Sequence, residues 1–267
     1  MAATLEPGSY RFSDFDDTEY QRLMRQGIAT WQQEHRFLHW AGLRPGQTVA
    51  DIGCGPGVIS RLMAEAVGPE GRVTGLDVSD QLLETARRIA APNACFDRTS
   101  IYDLSGHRGL YDFAYVRLVF QHLERPMEAM ADVFSVLKPG GRALILDSDE
   151  SVFALHPEPQ DLRPFIEETQ ALQRANGGDR FVGGKLGWYM RAAGFEDVEP
   201  QMFVMTPEMM GRETFLDIVL RFRPMLFPAE RRDEATATME RLHAIARDTM
   251  VYGHNGSFVV RGAKPLD

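Results

Sequence analysis

The sequence predicts an α/β fold built on a parallel sheet, and three observations support this prediction. A short apolar strand at 48–52 runs into three glycines at alternate positions, and apolar residues at helical spacing follow. A second strand, 72–76, ends in Asp77, twenty residues after Gly57. A Pro-Gly-Gly turn then leads into a further apolar strand at 142–146. Strands that alternate with helical segments in this way are typical of a parallel sheet covered by helices.

The loop after the first strand brings bare backbone to a helix N-terminus. Gly53, Gly55 and Gly57 let a ligand approach closely, and the N–H groups of the helix favour a carboxylate or a phosphate. The dinucleotide fingerprint would require a third glycine at position 58, which is Val58. Asp51 stands two residues before the first glycine, where an acid suits an ammonium group better than a pyrophosphate. The loop therefore favours a ligand with both an amine and a carboxylate.

Asp77, at the end of the second strand, suits the two hydroxyls of a ribose. With the glycine loop and the Leu-Lys-Pro-Gly-Gly turn at 137–141, the chain resembles the class I S-adenosylmethionine (SAM)-dependent methyltransferases, in the group that acts on small molecules and quinones. The resemblance is strong over 45–147 and weaker on to about residue 264. It implies a Rossmann-like seven-stranded sheet of order 3-2-1-4-5-7-6 with an antiparallel last strand. It also implies SAM as cofactor and S-adenosylhomocysteine as product.

The resemblance divides the chain into an N-terminal helical lid, residues 1–44, and a SAM-binding domain, residues 45–267. Helical insertions are expected after the fifth and sixth strands, at about 150–180 and 207–250. These insertions and the lid are the segments able to close over the site. They would cap the methyl acceptor.

Within the lid, Asp17 is a plausible N-cap of a first helix, and 34–41 forms a second helical piece. Tyr20 is the residue that we expect nearest the sulfonium of the cofactor, where its ring or its hydroxyl would contact the cation. The alternative is that Tyr20 only packs its helix on the domain. An apolar face on this helix would favour a homodimer.

The resemblance implies further cofactor contacts. Val78, directly after the second strand, is expected among them. Ser100 stands where the family commonly has an acid that binds the adenine amino group, so we assign this contact to Ser100 Oγ and the backbone N–H of Ile101, with Asp103 as the alternative. Arg117, at the end of the fourth strand, is expected to contact the methionine part through its backbone, and a surface charge is the alternative.

His122, after the fourth strand at 111–117, is the candidate catalytic residue. Because histidine titrates near neutral pH, it suits removal of a proton from a hydroxyl as the methyl arrives, and a structural role is the alternative. His156 and His254, both expected in loops, are further candidates. The acids at 147–149 would suit a metal, but the other ligands of metal-assisted catechol methylation are missing, so the sequence predicts none.

Composition limits the class of partner. With 267 residues, the chain can bury a full core. Its net charge of −9 predicts little general affinity for nucleic acid, although the arginines at 221–232 would allow a local basic groove. Cys54 in the glycine loop and Cys95 in an expected buried strand are not disulfide partners. The sequence has neither a signal peptide nor an apolar run that spans a bilayer, so we expect a cytoplasmic protein.

The function expected from these observations is SAM-dependent transfer of a methyl group to an oxygen or carbon atom of a small, partly apolar molecule. Specialised (secondary) metabolism or the synthesis of quinone-like compounds is the expected setting. One alternative is an RNA or protein methyltransferase. Another is a SAM-binding protein that does not methylate, and instead catalyses a cyclisation or serves as an interaction module.

Overall fold

The computed structural model describes residues 17–248 and 252–266, with the backbone alone for 17–23, 25–26 and 248. The strands are β1 (Thr48–Ile52), β2 (Arg72–Asp77), β3 (Ala94–Arg98), β4 (Tyr111–Arg117), β5 (Leu137–His156), β6 (Glu196–Met205) and β7 (Tyr252–Ala263). The helices are α1 (Asp17–Ala41), α2 (Val58–Val67), α3 (Asp80–Arg88), α4 (Pro126–Val136), α5 (Leu162–Ala175), α6 (Leu186–Ala192), α7 (Pro207–Met210), α8 (Arg212–Leu220) and α9 (Arg232–Asp248).

Over the described residues, the strands form a seven-stranded sheet in the order β3-β2-β1-β4-β5-β7-β6. The first five strands are parallel, and β7 runs antiparallel to both β5 and β6. This confirms the predicted Rossmann-like sheet with its antiparallel last strand. The strand order reverses between β1 and β4, where ligands bind in open sheets of this type.

Alternation of side chains along the strands gives the sheet two apolar faces. Val49, Phe113 and Leu144 belong to the cluster that includes α1 and α2. Ile52 and Val116 belong to the cluster that includes α4 and α6. Because both faces are covered by helices, β1 is buried along nearly its whole length.

Two local signals act as predicted. Ser79 Oγ accepts a hydrogen bond of 3.3 Å from the backbone N–H of Leu82 and caps α3. Pro126 occupies the first turn of α4, where its missing N–H costs nothing. Among the described helices, none combines the length and the apolar composition that a membrane span needs.

The structure corrects several local expectations. α1 is one continuous helix of 25 residues rather than two pieces. The Pro-Gly-Gly turn lies inside β5, where the pairing with β4 shifts register. Residues 150–156, expected in a helical insertion, extend β5, and residues 154–156 pair with β7 after a shift of register. His156 and His254 therefore lie in strands and not in loops, and Cys95 on the edge strand β3 is exposed rather than buried.

Candidate active site at the carboxyl ends of the strands

A cavity of about 280 Å³ opens at the carboxyl ends of β1, β2 and β4. The candidate residues on its wall are Gly53, Gly55, Asp77, Val78, Ser100, Ile101, Arg117 and His122. Asp51 and Gly57 are not part of the wall, and neither are Asp103, His156 or His254. Tyr20 belongs to α1, but its side chain lies outside the described residues. The fold thus brings most of the predicted site to one cavity.

The three glycines of the loop meet different needs. A Cβ on Gly55 would have no atom within 4 Å, so the backbone here is open to a ligand. A Cβ on Gly53 would lie 2.3 Å from Val119 Cγ2, and one on Gly57 would lie 2.6 Å from Ala86 Cβ. All three have positive φ angles, which favour glycine. Gly55 therefore leaves room for a ligand, whereas Gly57 lets α2 pack against α3.

Asp77 joins the loop to the end of β2. Its Oδ2 accepts a hydrogen bond of 2.8 Å from the Gly55 N–H, and its Oδ1 accepts one of 2.9 Å from the Ser79 N–H. Burial raises the pKa of this carboxyl, and the hydrogen bonds from Ser79, Gly55 and Val78 oppose the rise. Each carboxylate oxygen can accept a second hydrogen bond. Asp77 can therefore hold two further donors at the cavity wall.

Asp51 lies behind the glycine loop instead of on the cavity wall. It is 2% exposed, and its Oδ2 accepts a hydrogen bond of 2.5 Å from Ser60 Oγ. Burial raises its pKa to about 7, and the Ser60 hydrogen bond and Arg117 lower it only in part. An ammonium group bound above the loop would stabilise the charged form of Asp51.

The structure separates the two candidates for the adenine contact. Ser100 and Ile101 lie on the cavity wall, and Ser100 Oγ accepts a hydrogen bond of 3.2 Å from the Tyr102 N–H. Asp103 is exposed, and its Oδ1 accepts a hydrogen bond of 2.7 Å from Ser105 Oγ. Of the two, only Ser100 faces the cavity.

Sequence reasoning missed Glu34, which lies on α1 and on the cavity wall. Its carboxylate accepts hydrogen bonds from Arg117 Nε at 2.9 and 3.0 Å and from the Tyr115 hydroxyl at 3.0 Å. Arg117 Nη2 also donates to Thr30 Oγ1 at 3.1 Å, so its side chain ties α1 to β4 and is no free surface charge. The spacing of the residues could have revealed Glu34. Thr30, Glu34 and the buried Leu38 recur every four residues, which places Glu34 on the buried face of the helix.

His122 lies in a 3-10 turn after β4, and its contact with Gln173 of α5 selects the tautomer of the neutral ring. The Gln173 Nε2 atom lies 2.9 Å from the Gln121 carbonyl oxygen and 3.1 Å from His122 Nδ1. A carbonyl oxygen only accepts, so the Gln173 amide nitrogen faces it and donates its other hydrogen to Nδ1. Neutral His122 then carries its proton on Nε2 and acts as a hydrogen-bond donor.

Two acids within β5, Asp147 and Asp149, serve local structure. The Asp147 carboxylate accepts hydrogen bonds from the backbone N–H groups of Ser148 at 2.8 Å and Gln121 at 3.2 Å, and Asp149 accepts one from the Gly184 N–H at 2.9 Å. Burial raises the pKa of Asp147 to about 7. Over the part of the chain that the structure describes, no three His, Cys, Asp or Glu side chains are grouped to hold a metal.

Residues 4–200 match the family model described as a methyltransferase domain. This match covers more than half of the chain, and together with the sheet order it shows that the chain belongs to the class I SAM-dependent methyltransferases.

Individual relatives agree with this family. An uncharacterized 37.1 kDa protein in transposon TN4556 of Streptomyces fradiae is 34% identical over 183 residues, 67% of this chain and 52% of that protein. A demethylmenaquinone methyltransferase of Symbiobacterium thermophilum is 29% identical over 126 residues, 45% of this chain and 50% of that protein. The chain thus spans about half the length of these curated relatives. Among solved structures, phosphoethanolamine N-methyltransferase 2 of Haemonchus contortus in complex with SAM has a TM-score of 0.60 at 22% identity, covering 97% of this chain and 61% of that one.

Proposed function

We propose that this chain transfers the methyl group of SAM to an oxygen or carbon atom of a small, partly apolar molecule, in specialised metabolism or in the synthesis of quinone-like compounds. The observation that carries the proposal is the cavity, which joins Gly55 and Asp77 to an apolar wall formed by Phe203, Met205 and Ile218. The 29% identity to a protein named demethylmenaquinone methyltransferase supports the quinone-like class of acceptor.

The residues around the glycine loop fit SAM. The open space at Gly55 admits a ligand against the backbone, and Asp77 has acceptor positions for two ribose hydroxyls. Asp51 would act from behind the loop, and Gly57 would hold the loop in place by its packing against α3. The residues proposed to hold the cofactor are Tyr20, Asp51, Gly53, Gly55, Gly57, Asp77, Val78, Ser100, Ile101 and Arg117. When bound, SAM supplies an electrophilic methyl group, so the protein chiefly aligns the acceptor and excludes water.

We infer that residues 1–44 form a lid over the domain at 45–267, and that the helices after β5 and β6 cap the acceptor. The contact of Glu34 with Arg117 supports this role for α1, since it brings the helix onto the cavity wall. We also propose that the chain can form a homodimer through α1, on which Ile28 is 62% exposed.

We propose that the reaction partner is a small molecule and that neither nucleic acid nor a metal takes part. We propose the cytoplasm as the location of the reaction. The net charge of −9 supports the choice against nucleic acid. Methyl transfer from a sulfonium needs no metal, because the methyl group is already electrophilic.

A label experiment tests this function. The protein is incubated with SAM carrying a radioactive methyl group and with an extract of small molecules, RNA and protein. Label in the small-molecule fraction supports the proposal, whereas label in RNA or protein supports that alternative. Normal SAM binding without any labelled product would support the second alternative, a protein that binds SAM and does not methylate.

Asp77→Ala should weaken the binding of S-adenosylhomocysteine by about 2–3 kcal/mol, or roughly 30- to 150-fold in Kd, because the ribose hydroxyls lose a charged acceptor. Isothermal titration calorimetry measures this directly. Asp103→Ala is the matched control and should leave the affinity unchanged, since Asp103 is not on the cavity wall. An unchanged affinity in Asp77→Ala would contradict the site.

SAM binding at pH 7 should release about half a proton from Asp51, because its pKa of about 7 falls when an ammonium group binds nearby. Calorimetry in buffers of different ionisation enthalpy counts the released protons. Asp51→Asn should abolish the release. Asp147→Asn should keep it, although the pKa of Asp147 is also about 7. Equal release in wild type and Asp51→Asn would show that the amine binds elsewhere.

A further inference from the structure

Two buried arginines share one carboxylate at the acceptor half of the cavity, by which we mean the part of the wall that includes His122, Arg180 and Phe222. Arg180 is 9% exposed and Arg223 is 2% exposed. Arg180 donates to Glu150 Oε1 from Nε at 2.9 Å and from Nη2 at 2.7 Å, and Arg223 Nη2 donates to the same oxygen at 2.8 Å. The other nitrogens of Arg223 donate to the Val219 carbonyl and to Thr169 Oγ1, both at 2.8 Å.

This cluster carries more positive than negative charge at neutral pH. Burial raises the pKa of Glu150, but the two guanidiniums outweigh it and bring the pKa to about 2. Burial lowers the pKa of Arg223 only to about 10, so this side chain stays charged. Asp147 also interacts with Arg180, but its pKa of about 7 leaves it partly protonated. A buried charge without a full counter-charge is costly, and an anion would relieve the cost.

Arg180 is the member of the cluster that lies on the cavity wall. Its hydrogen bonds use three of its five N–H groups, because Nη1 donates to Gln121 Oε1 in addition to the two bonds to Glu150. Two N–H groups remain without a partner among the described residues. The guanidinium lies 4.6 Å from the ring centre of Phe222, which is also on the wall. Cation and ring together suit a planar ligand with a negative oxygen.

We propose that the methyl acceptor carries an anionic oxygen, a carboxylate or an ionised hydroxyl, that binds Arg180. This inference rests on the proposed function and names the acceptor's chemical class. His122 fits it, because its Nε2–H is a second donor on the same wall and an anionic acceptor requires no base. Gln121 connects both groups: its side chain accepts from Arg180, and its backbone carbonyl accepts from the Gln173 amide that orients His122.

Matched probes test this site by binding alone. Protein loaded with S-adenosylhomocysteine is titrated with benzoate and with benzamide, which has the same shape and no charge. We expect benzoate to bind at least about tenfold more tightly, since the amide leaves the charge of Arg180 unbalanced. A titration with 4-nitrophenol, whose ionised form absorbs visible light, tests whether the site binds an ionised hydroxyl. Bound nitrophenol should be ionised at a lower pH than free nitrophenol.

Variants identify the residue. Arg180→Gln should remove both the tighter binding of benzoate and the ionisation of bound nitrophenol at lower pH, and Arg180→Lys should keep part of each effect. Arg163→Gln, which breaks an exposed pair with Glu158, should keep both effects fully. If wild type prefers neither anion, or binds neither, the proposal is overturned, and this result does not depend on the folding of a variant. A preference that persists in Arg180→Gln also overturns it. The proposed function is tested separately, by the titration with S-adenosylhomocysteine and by the label experiment. The anion site can therefore be confirmed when methylation is not found, and methylation can be found when the anion site is overturned.

Discussion

His122→Ala should lower turnover at subsaturating acceptor by roughly 10- to 150-fold, because the anionic oxygen of the acceptor loses a hydrogen-bond donor worth about 1.5–3 kcal/mol to its binding. The affinity for S-adenosylhomocysteine should stay close to that of wild type, because His122 lies in the acceptor half of the cavity. Single-turnover kinetics with an acceptor found in the label experiment measures the effect on chemistry. His254→Ala is the control and should be fully active, since His254 lies in β7 and not on the cavity wall.

His122→Gln distinguishes two roles of His122: a hydrogen-bond donor, and the general base expected from the sequence. The amide of glutamine donates a hydrogen bond but takes up no proton near neutral pH. If His122 donates, His122→Gln recovers much of the lost turnover, and the pH profile keeps its shape. If His122 is the base, both variants lose about 10²- to 10⁴-fold, and the acidic limb of the profile disappears. Full activity in a folded His122→Ala would assign the residue a structural role.

Glu150→Leu should lower the free energy of unfolding by about 3–5 kcal/mol, because it leaves Arg180 and Arg223 buried without their shared carboxylate. Denaturant unfolding followed by circular dichroism measures this. Glu158→Gln breaks an exposed pair with Arg163 and should cost no more than about 1 kcal/mol. If Glu150→Leu does not fold, the double variant Glu150→Met with Arg223→Met should restore folding, since apolar side chains then replace the more deeply buried of the two ion pairs.

The same carboxylate predicts a pH dependence. The pKa of Glu150 is about 2 in the folded chain, below its usual 4.5. Its charge therefore stabilises the fold fully above pH 4.5, and the contribution is lost as the pH falls from 4.5 to 2. The stability difference between wild type and Glu150→Gln should shrink over this range. A constant difference would mean that the carboxylate charge does not stabilise the cluster.

Short-range patterns predicted the fold and the cofactor half of the site. A strand, a glycine loop and a helix involve neighbouring residues, and the positive φ angles at Gly53, Gly55 and Gly57 are needs of the local backbone. The same holds for Asp77, whose distance from the loop follows from one strand–helix–strand unit. The extent of β5 was not predictable in this way, because its last residues, 154–156, pair with β7 at the far end of the chain.

The sequence by itself determined the fold class and the loop that suits SAM, because both follow from local backbone conformation and from strand–helix alternation. The sheet order was what the resemblance to the methyltransferase family implied. The tertiary structure alone decided the acceptor half. Glu34 meets Arg117 across 83 residues, Glu150 meets Arg223 across 73, and Gln173 meets His122 across 51. Contacts between side chains so far apart leave no periodic signal in the chain. They arise only when packing of helices against the sheet places these side chains beside one another.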